Sequence, residues 1–145
     1  MYRPNVSMIV FRKSDGKFLL VHKARKNHAW QFPQGGIESG ESLEQAAKRE
    51  LREELGTDSF QNFWKSKHIY FYDFPKGHEP TGGFRGQKQS YVVVEWIGEE
   101  KDLHLSHEEL DEYRFVYQNE LPQYLESKDY QKKVDQVIFE FRDKL

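Results

Sequence analysis

The sequence predicts one layered domain mixing strands and helices, an α+β or α/β sandwich. Three observations predict it. β-prone and helical runs follow one another along the chain: strands, a helix, strands, a helix. A length of 145 residues fits one domain, 1–145, with a real core and leaves little room for a second. Aromatics make up 15% of the chain against a hydrophobic total of only 37%, so large rings must build much of that core, and they argue against disorder.

The elements follow in order. Asn5 to Phe11 and Lys17 to His22 read as strands, and Ser14-Asp15-Gly16 between them makes a hairpin. Trp30 to Gly36 reads as a loop, because Pro33 and the Gly35-Gly36 pair interrupt regular structure. Ser42 to Leu55 is the clearest helix: Ser42 and Gln45 form a capping-box pattern, and Gly56 supplies the stop. Phe63 to Phe74 reads as one or two aromatic-rich strands. Residues 76–86 hold four glycines and Pro80 with no apolar period, and read as a long loop. Ser90 to Ile97 is strongly β-prone and reads as a central strand, and Tyr113 to Tyr117 as a shorter one. Ser127 caps a last helix. Its stripe of Tyr130, Val134, Val137, Ile138 and Phe141 is most simply core packing.

Composition excludes several functions. With no cysteine there is no disulfide, thiol catalysis or cysteine-type zinc site. No apolar run is long enough to span a membrane, and the first residues do not read as a signal peptide. The expectation is a soluble, cytoplasmic protein. A net charge of −2 argues against a broad nucleic-acid coat. That charge is uneven, however. Residues 1–28 carry seven Lys and Arg against Asp15 alone, so the acidic surplus lies in the remainder. Such asymmetry suits a charged partner, although composition alone leaves chance clustering equally open.

The helix at Ser42–Leu55 holds an anomaly. At 100° per residue, Leu43, Ala46 and Ala47 share a sector with Glu50 and Glu54, and Glu53 lies beside it. Carboxylates at this spacing repel one another, and burying them unpaired costs far more. A divalent cation offsets both penalties, and hard oxygen ligands favour Mg²⁺ or Mn²⁺. A solvated acidic face braced by Lys48, Arg49 and Arg52 is the other reading, and the helix by itself does not choose.

The wider spacing does. Gly35, five residues, Glu41, seven residues, then Arg49-Glu50-Leu51-Arg52-Glu53-Glu54-Leu55-Gly56 resembles the box of the Nudix hydrolases, which cleave a nucleoside diphosphate linked to another group. The box covers 35–57. Thr57 departs from the usual aliphatic residue, a matter of packing. The resemblance implies an α/β/α sandwich around a central mixed sheet, with the box as loop–helix–loop. It implies metal roles for Glu50, Glu53 and Glu54, with more than one ion bound. It implies that Glu41 and Arg49 brace loop and helix so as to orient the ligands. Glu38 falls at a variable position and reads as surface.

The flanks narrow the branch. Tyr2-Arg3-Pro4-Asn5-Val6, Trp30 to Gly36, Gly86-Gln87-Lys88-Gln89 and Glu109 to Val116 resemble the bacterial RNA pyrophosphohydrolases and the related diadenosine polyphosphate hydrolases. Arg3 offers a fork of donors suited to phosphate. The branch places Gln87, Lys88 and Gln89 at the polyphosphate; Lys88 is either a phosphate contact or an exposed strand-end lysine. Gln34 either orients water or phosphate or caps the loop, and Gly35 opens the box beside it. Glu109 matches an acid outside the box that serves as metal ligand or base, with Glu108 as its rival. The branch's basic pair falls at Lys23-Ala24-Arg25-Lys26, where Ala24 occupies the second basic position and Arg25 either substitutes for it or does not. Trp30 and Phe32 read as core. Tyr130 is a candidate to stack on the first base, although it also belongs to the core stripe.

The resemblance therefore implies an enzyme that converts 5′-triphosphorylated RNA to 5′-monophosphate and so starts decay, with Glu54 or Glu109 as base. Its substrate-binding residues would be Arg3, Lys23, Arg25, Gln34, Gly35, Gln87 and Lys88. A dinucleoside polyphosphate hydrolase and a non-catalytic nucleotide sensor are the alternatives.

Overall fold

The computed structural model describes residues 1–24, 29–75, 81–106 and 108–145. One mixed sheet carries the strands. They are β1 (Tyr2–Arg12), β2 (Lys17–Lys23), β3 (Trp30–Gln31), β4 (Gln34–Gly36), β5 (Phe60–Asp73), β6 (Gly86–Trp96) and β7 (Leu110–Val116). The path runs β3-β2-β1-β6-β5, with β4 against β1 and β7 against β2. β1 and β6 are parallel, and the other pairs are antiparallel.

β1 is buried from Asn5 to Phe11, as expected of a strand covered on both faces. Alternation sorts its side chains. Val6, Met8 and Val10 face α1 (Leu43–Leu55) together with Val92 and Val94, and meet Ala46, Ala47, Leu51 and Leu55. Ile9 and Phe11 face the other way with Tyr91 and Val93, toward α3 (Lys128–Glu140) and its Val134, Val137 and Ile138. The result is the expected α/β/α sandwich, with a core on each side of the sheet. The short α2 (Leu121–Tyr124) leads into α3. Nothing in the sequence reading anticipated it.

The hairpin forms, with the Gly16 amide donating to the Arg12 carbonyl at 2.9 Å. Yet β1 and β2 pair only at Phe11–Phe18 and Arg12–Lys17. Further along, β4 takes the place of β2 beside β1, with Val6 opposite Gly35 and Ser7 opposite Gln34. The segment expected to be a loop is therefore two short strands around Phe32 and Pro33. Pro33 still serves the sheet: its carbonyl accepts from the Met8 amide at 2.8 Å.

The central position of β6, between β1 and β5, agrees with the sequence reading. β5 is a single 14-residue strand whose pairing with β6 shifts register at Gln61/Trp64 and Lys65/Ile69. Of the expected long loop, 76–80 lie outside the described residues, Thr81–Gly83 form a 3₁₀ turn, and Gly86 already begins β6. Among the described residues no helix is long and apolar enough to cross a membrane.

Candidate active site

The capping box fixes where α1 begins. The Ser42 hydroxyl accepts from the Gln45 amide at 3.1 Å, and the Gln45 side chain accepts from the Ser42 amide at 2.9 Å. The helix ends at Gly56, whose φ of 68° is left-handed and whose amide donates to the Arg52 carbonyl. Between these stops the helix turns one flank toward β4. There the Gly35-Gly36 pair is a steric requirement. A Cβ on Gly35 would collide with the Glu50 carboxyl, and one on Gly36 with the Arg3 guanidinium.

Arg49 ties loop to helix. Its Nε and Nη2 donate to the two Glu41 oxygens at 2.7 and 2.9 Å, and Nη2 also donates to the Gly36 carbonyl at 2.8 Å. Its Nη1 reaches Glu50 Oε1 at 2.9 Å and Glu53 Oε2 at 3.4 Å. Hydrogen bonds from Arg49, with one from the Glu38 backbone, hold the Glu41 carboxyl down at about 2. Glu38 is largely exposed and stands 3.8 Å from Arg49.

The three helix acids differ in burial as the wheel predicts. Glu54 is 6% exposed, Glu50 is half-buried, and the Glu53 side chain is open to solvent. Burial pushes Glu54 well above the ordinary carboxylate range, and the charges of Glu50 and Glu109 add to this; Lys23 and a backbone hydrogen bond from Gln34 oppose it. Burial also raises Glu50, against the pull of Arg49.

The segment after β6 delivers a fourth acid. The Ser106 amide donates to the Glu54 carbonyl at 3.0 Å, and the Ser106 carbonyl accepts from the Glu109 amide at 3.0 Å. The Glu109 carbonyl in turn accepts from the Ala24 amide at 3.0 Å. Glu109 is thus anchored between the end of α1 and the end of β2.

These parts surround a cleft of about 630 Å³. It brings together Arg3, Lys23, Gln34, Gly35, Glu50, Glu53, Glu54, Gln87 and Glu109 from the sequence-derived set. Lys88 does not line it. Strand alternation turns Lys88 to the opposite face, where its Nζ stands 6.0 Å from the Phe71 ring centroid. Arg25, Lys26, His28, His78 and His107 lie outside the described residues. Tyr130 also does not line the cleft; its hydroxyl is 3.4 Å from Ser7 Oγ. Phe32 is fully buried core, and Trp30 packs edge-on against Tyr124.

Three lining residues escaped the sequence reading as site residues: Asn5, Gly36 and Ser106. Asn5 lies within the Tyr2–Val6 flank, where one polar residue before an apolar run is the signal available. Ser106 carried no signal of its own.

The donor set suits a hard divalent cation. Glu54 Oε2 is buried without a hydrogen-bond partner, and an uncompensated buried carboxylate calls for positive charge. Among the described residues no group of three such side chains forms a ready-made cage; Arg49 spans Glu50 and Glu53.

The chain is similar to known proteins. The NUDIX domain model matches residues 1–137. An RNA pyrophosphohydrolase from the Wolbachia of Brugia malayi is 40% identical over 120 residues, 79% of this chain and 74% of that protein. One from Caulobacter vibrioides is 37% identical over 131 residues, 84% of this chain and 76% of that protein. Among solved structures, a C. elegans Ap4A hydrolase binary complex superposes with a TM-score of 0.74 at 20% identity, covering 99% of both chains. The E. coli dihydroneopterin triphosphate pyrophosphohydrolase superposes with a TM-score of 0.78 at 16% identity, covering 97% of this chain and 99% of that one. At these identities the structural likeness speaks for the fold.

Proposed function

The chain belongs to the NUDIX family, and on that premise we propose that it is an RNA pyrophosphohydrolase, converting 5′-triphosphorylated RNA ends to 5′-monophosphates and so initiating decay. The observation that carries this reading is the convergence of the box acids with Glu109, Arg3 and Lys23 on one cleft. The curated relatives, named RNA pyrophosphohydrolase, support the substrate. The whole chain, 1–145, acts as one domain, and a cytoplasmic location follows from the substrate.

The family's activity depends on divalent metal ions. Here Glu50, Glu53, Glu54 and Glu109 would hold Mg²⁺ or Mn²⁺, more than one ion in the working enzyme, and the metal supplies charge neutralisation and water activation when bound. The chain's own residues do the rest. Arg3 and Lys23 hold phosphate oxygens by charge-assisted hydrogen bonds, and Arg25 adds a further cation from the neighbouring segment. Gln34 and Gln87 contribute neutral contacts. Gly35, which lines the cleft, lets the Glu50 carboxyl pack against the backbone where the phosphates bind. Lys88 faces away from the cleft and is left as an exposed strand-end lysine, not a phosphate contact. Glu54 or Glu109 takes the proton from the attacking water. Glu41, through Arg49, keeps the acids of the helix in register with the loop.

The test is phosphate or pyrophosphate release from a 5′-triphosphorylated RNA under Mg²⁺ or Mn²⁺, with Glu53→Gln as blank. The expected result is turnover that this variant lacks. A diadenosine polyphosphate run in parallel decides the rival: if it is preferred by orders of magnitude, the RNA reading is wrong.

A further inference from the structure

A chain of amides, buried at Asn5 and Gln89, runs beneath the cleft, and only its Gln34 end enters the activity described above. Gln89 is 2% exposed. Its Nε2 donates to Asn5 Oδ1 at 2.7 Å and to Gln34 Oε1 at 2.7 Å. Its Oε1 accepts from the Tyr91 hydroxyl at 2.9 Å. Gln34 Nε2 donates in turn to Gln31 Oε1 at a longer 3.3 Å. Asn5 and Gln34 line the cleft, and Gln89 and Tyr91 do not.

The direction of these bonds follows from Tyr91. The residue is fully buried, and burial pushes its hydroxyl up in pKa, so it stays a neutral O–H that needs an acceptor. Gln89 Oε1 is that acceptor. An amide whose oxygen is taken on one side has only its NH₂ to offer on the other. Asn5 and Gln34 must then turn their oxygens inward to receive it, which leaves the Asn5 NH₂ outward and, on Gln34, one N–H beyond the bond given to Gln31. If the Tyr91 hydroxyl were absent, Gln89 could flip, and both neighbours could flip with it, turning carbonyl oxygens to the cleft.

We infer that Tyr91 and Gln89 are positioning residues that set the polarity of the cleft floor, so that Asn5 and Gln34 present hydrogen-bond donors to the phosphate chain of the substrate. The inference rests on the reading that this cleft takes a polyphosphate. The chemistry makes such donors valuable. Five carboxylates, Glu50, Glu53, Glu54, Glu108 and Glu109, line the cleft, and a carbonyl floor would add to the repulsion that a phosphate chain meets there. Neutral donors recognise phosphate oxygens without competing for the acids, as another cation would.

The experiment measures binding of inorganic tripolyphosphate with Mg²⁺ to the whole chain, its Tyr91→Phe variant and its Gln89→Met variant, beside the melting temperature of each. Both substitutions are neutral, so neither adds charge. The expected result is a dissociation constant raised about three- to tenfold by Tyr91→Phe and at least as much by Gln89→Met. In turnover the loss should fall on KM rather than kcat. In the parent protein, the side-chain NH₂ signals of Asn5 and Gln34 should shift when tripolyphosphate is added. A merely structural role would lower the melting temperature and leave the affinity of the folded protein unchanged. Affinity within twofold of the parent in the folded variants, or NH₂ signals that do not move, overturns the inference. If Gln89→Met does not fold, Tyr91→Phe, which keeps the ring, decides alone. Tripolyphosphate carries no nucleoside, so an enzyme that ignores RNA yet shows these shifts would sink the RNA reading and keep this one.

Discussion

Two carboxyls of the same loop and helix, Glu41 and Glu54, respond to pH in opposite senses. Glu41 is held down at about 2 by Arg49, so it contributes stability above the ordinary carboxylate range near pH 4.5, and that contribution is lost as pH falls toward 2. Glu54 is pushed up by burial, so folding favours its protonated form, and without metal its ionisation removes stability as pH rises above about 4.5. In EDTA, Glu54→Gln is therefore expected to flatten the fall of melting temperature with rising pH and to melt higher than the parent at neutral pH. Under Mg²⁺ the same variant should lose activity by about a hundredfold or more, as expected when a ligand or base is removed. A parent melting temperature that does not decline above pH 5 in EDTA would contradict the burial argument. This tension was legible in the sequence, because helical spacing alone puts Glu54 on the apolar side. The inward aim of Asn5 was not, because it depends on Gln89, 84 residues away.

At the scale of elements, α1 was legible to within a residue because its signals are local: a capping box at one end, a left-handed glycine at the other. Ser42→Ala removes half of that box and is expected to cost about 1 kcal/mol, read as a lowered denaturant midpoint with an unchanged slope. β3 and β4 were not legible. Pro33 and two glycines read as breakers, and only pairing with β1 and β2, set by distant residues, makes strands of them. The glycines answer to close approach, not to chain flexibility. Gly35→Ala would drive its methyl into the Glu50 carboxyl, so a tenfold or greater loss of kcat is expected while the far-ultraviolet circular dichroism stays as in the parent. If activity survives intact, Glu50 is not held where the chemistry needs it.

At the scale of the molecule, the cleft exists because β1 and β2 separate soon after their turn. β4 enters on one side of the gap, and α1 with Ser106 and Glu109 closes the other. The charge of the chain is laid out across that gap. The basic surplus of residues 1–28 comes to the cleft through Arg3 and Lys23, while α1 and the segment before β7 bring the acids. A net charge of −2 averages these two sides and hides both. A polyanionic substrate is then drawn by a few local cations rather than by a broad basic surface, and such attraction is screened within about 10 Å at 0.1 M salt. Raising the salt from about 50 to 200 mM should therefore raise KM for triphosphorylated RNA severalfold and leave kcat nearly constant. Arg3→Gln, which removes one of those cations, should make KM both higher and less sensitive to salt. If the salt slope of the variant equals that of the parent, the phosphates do not sit against Arg3, and the amino-terminal surplus serves another part of the surface.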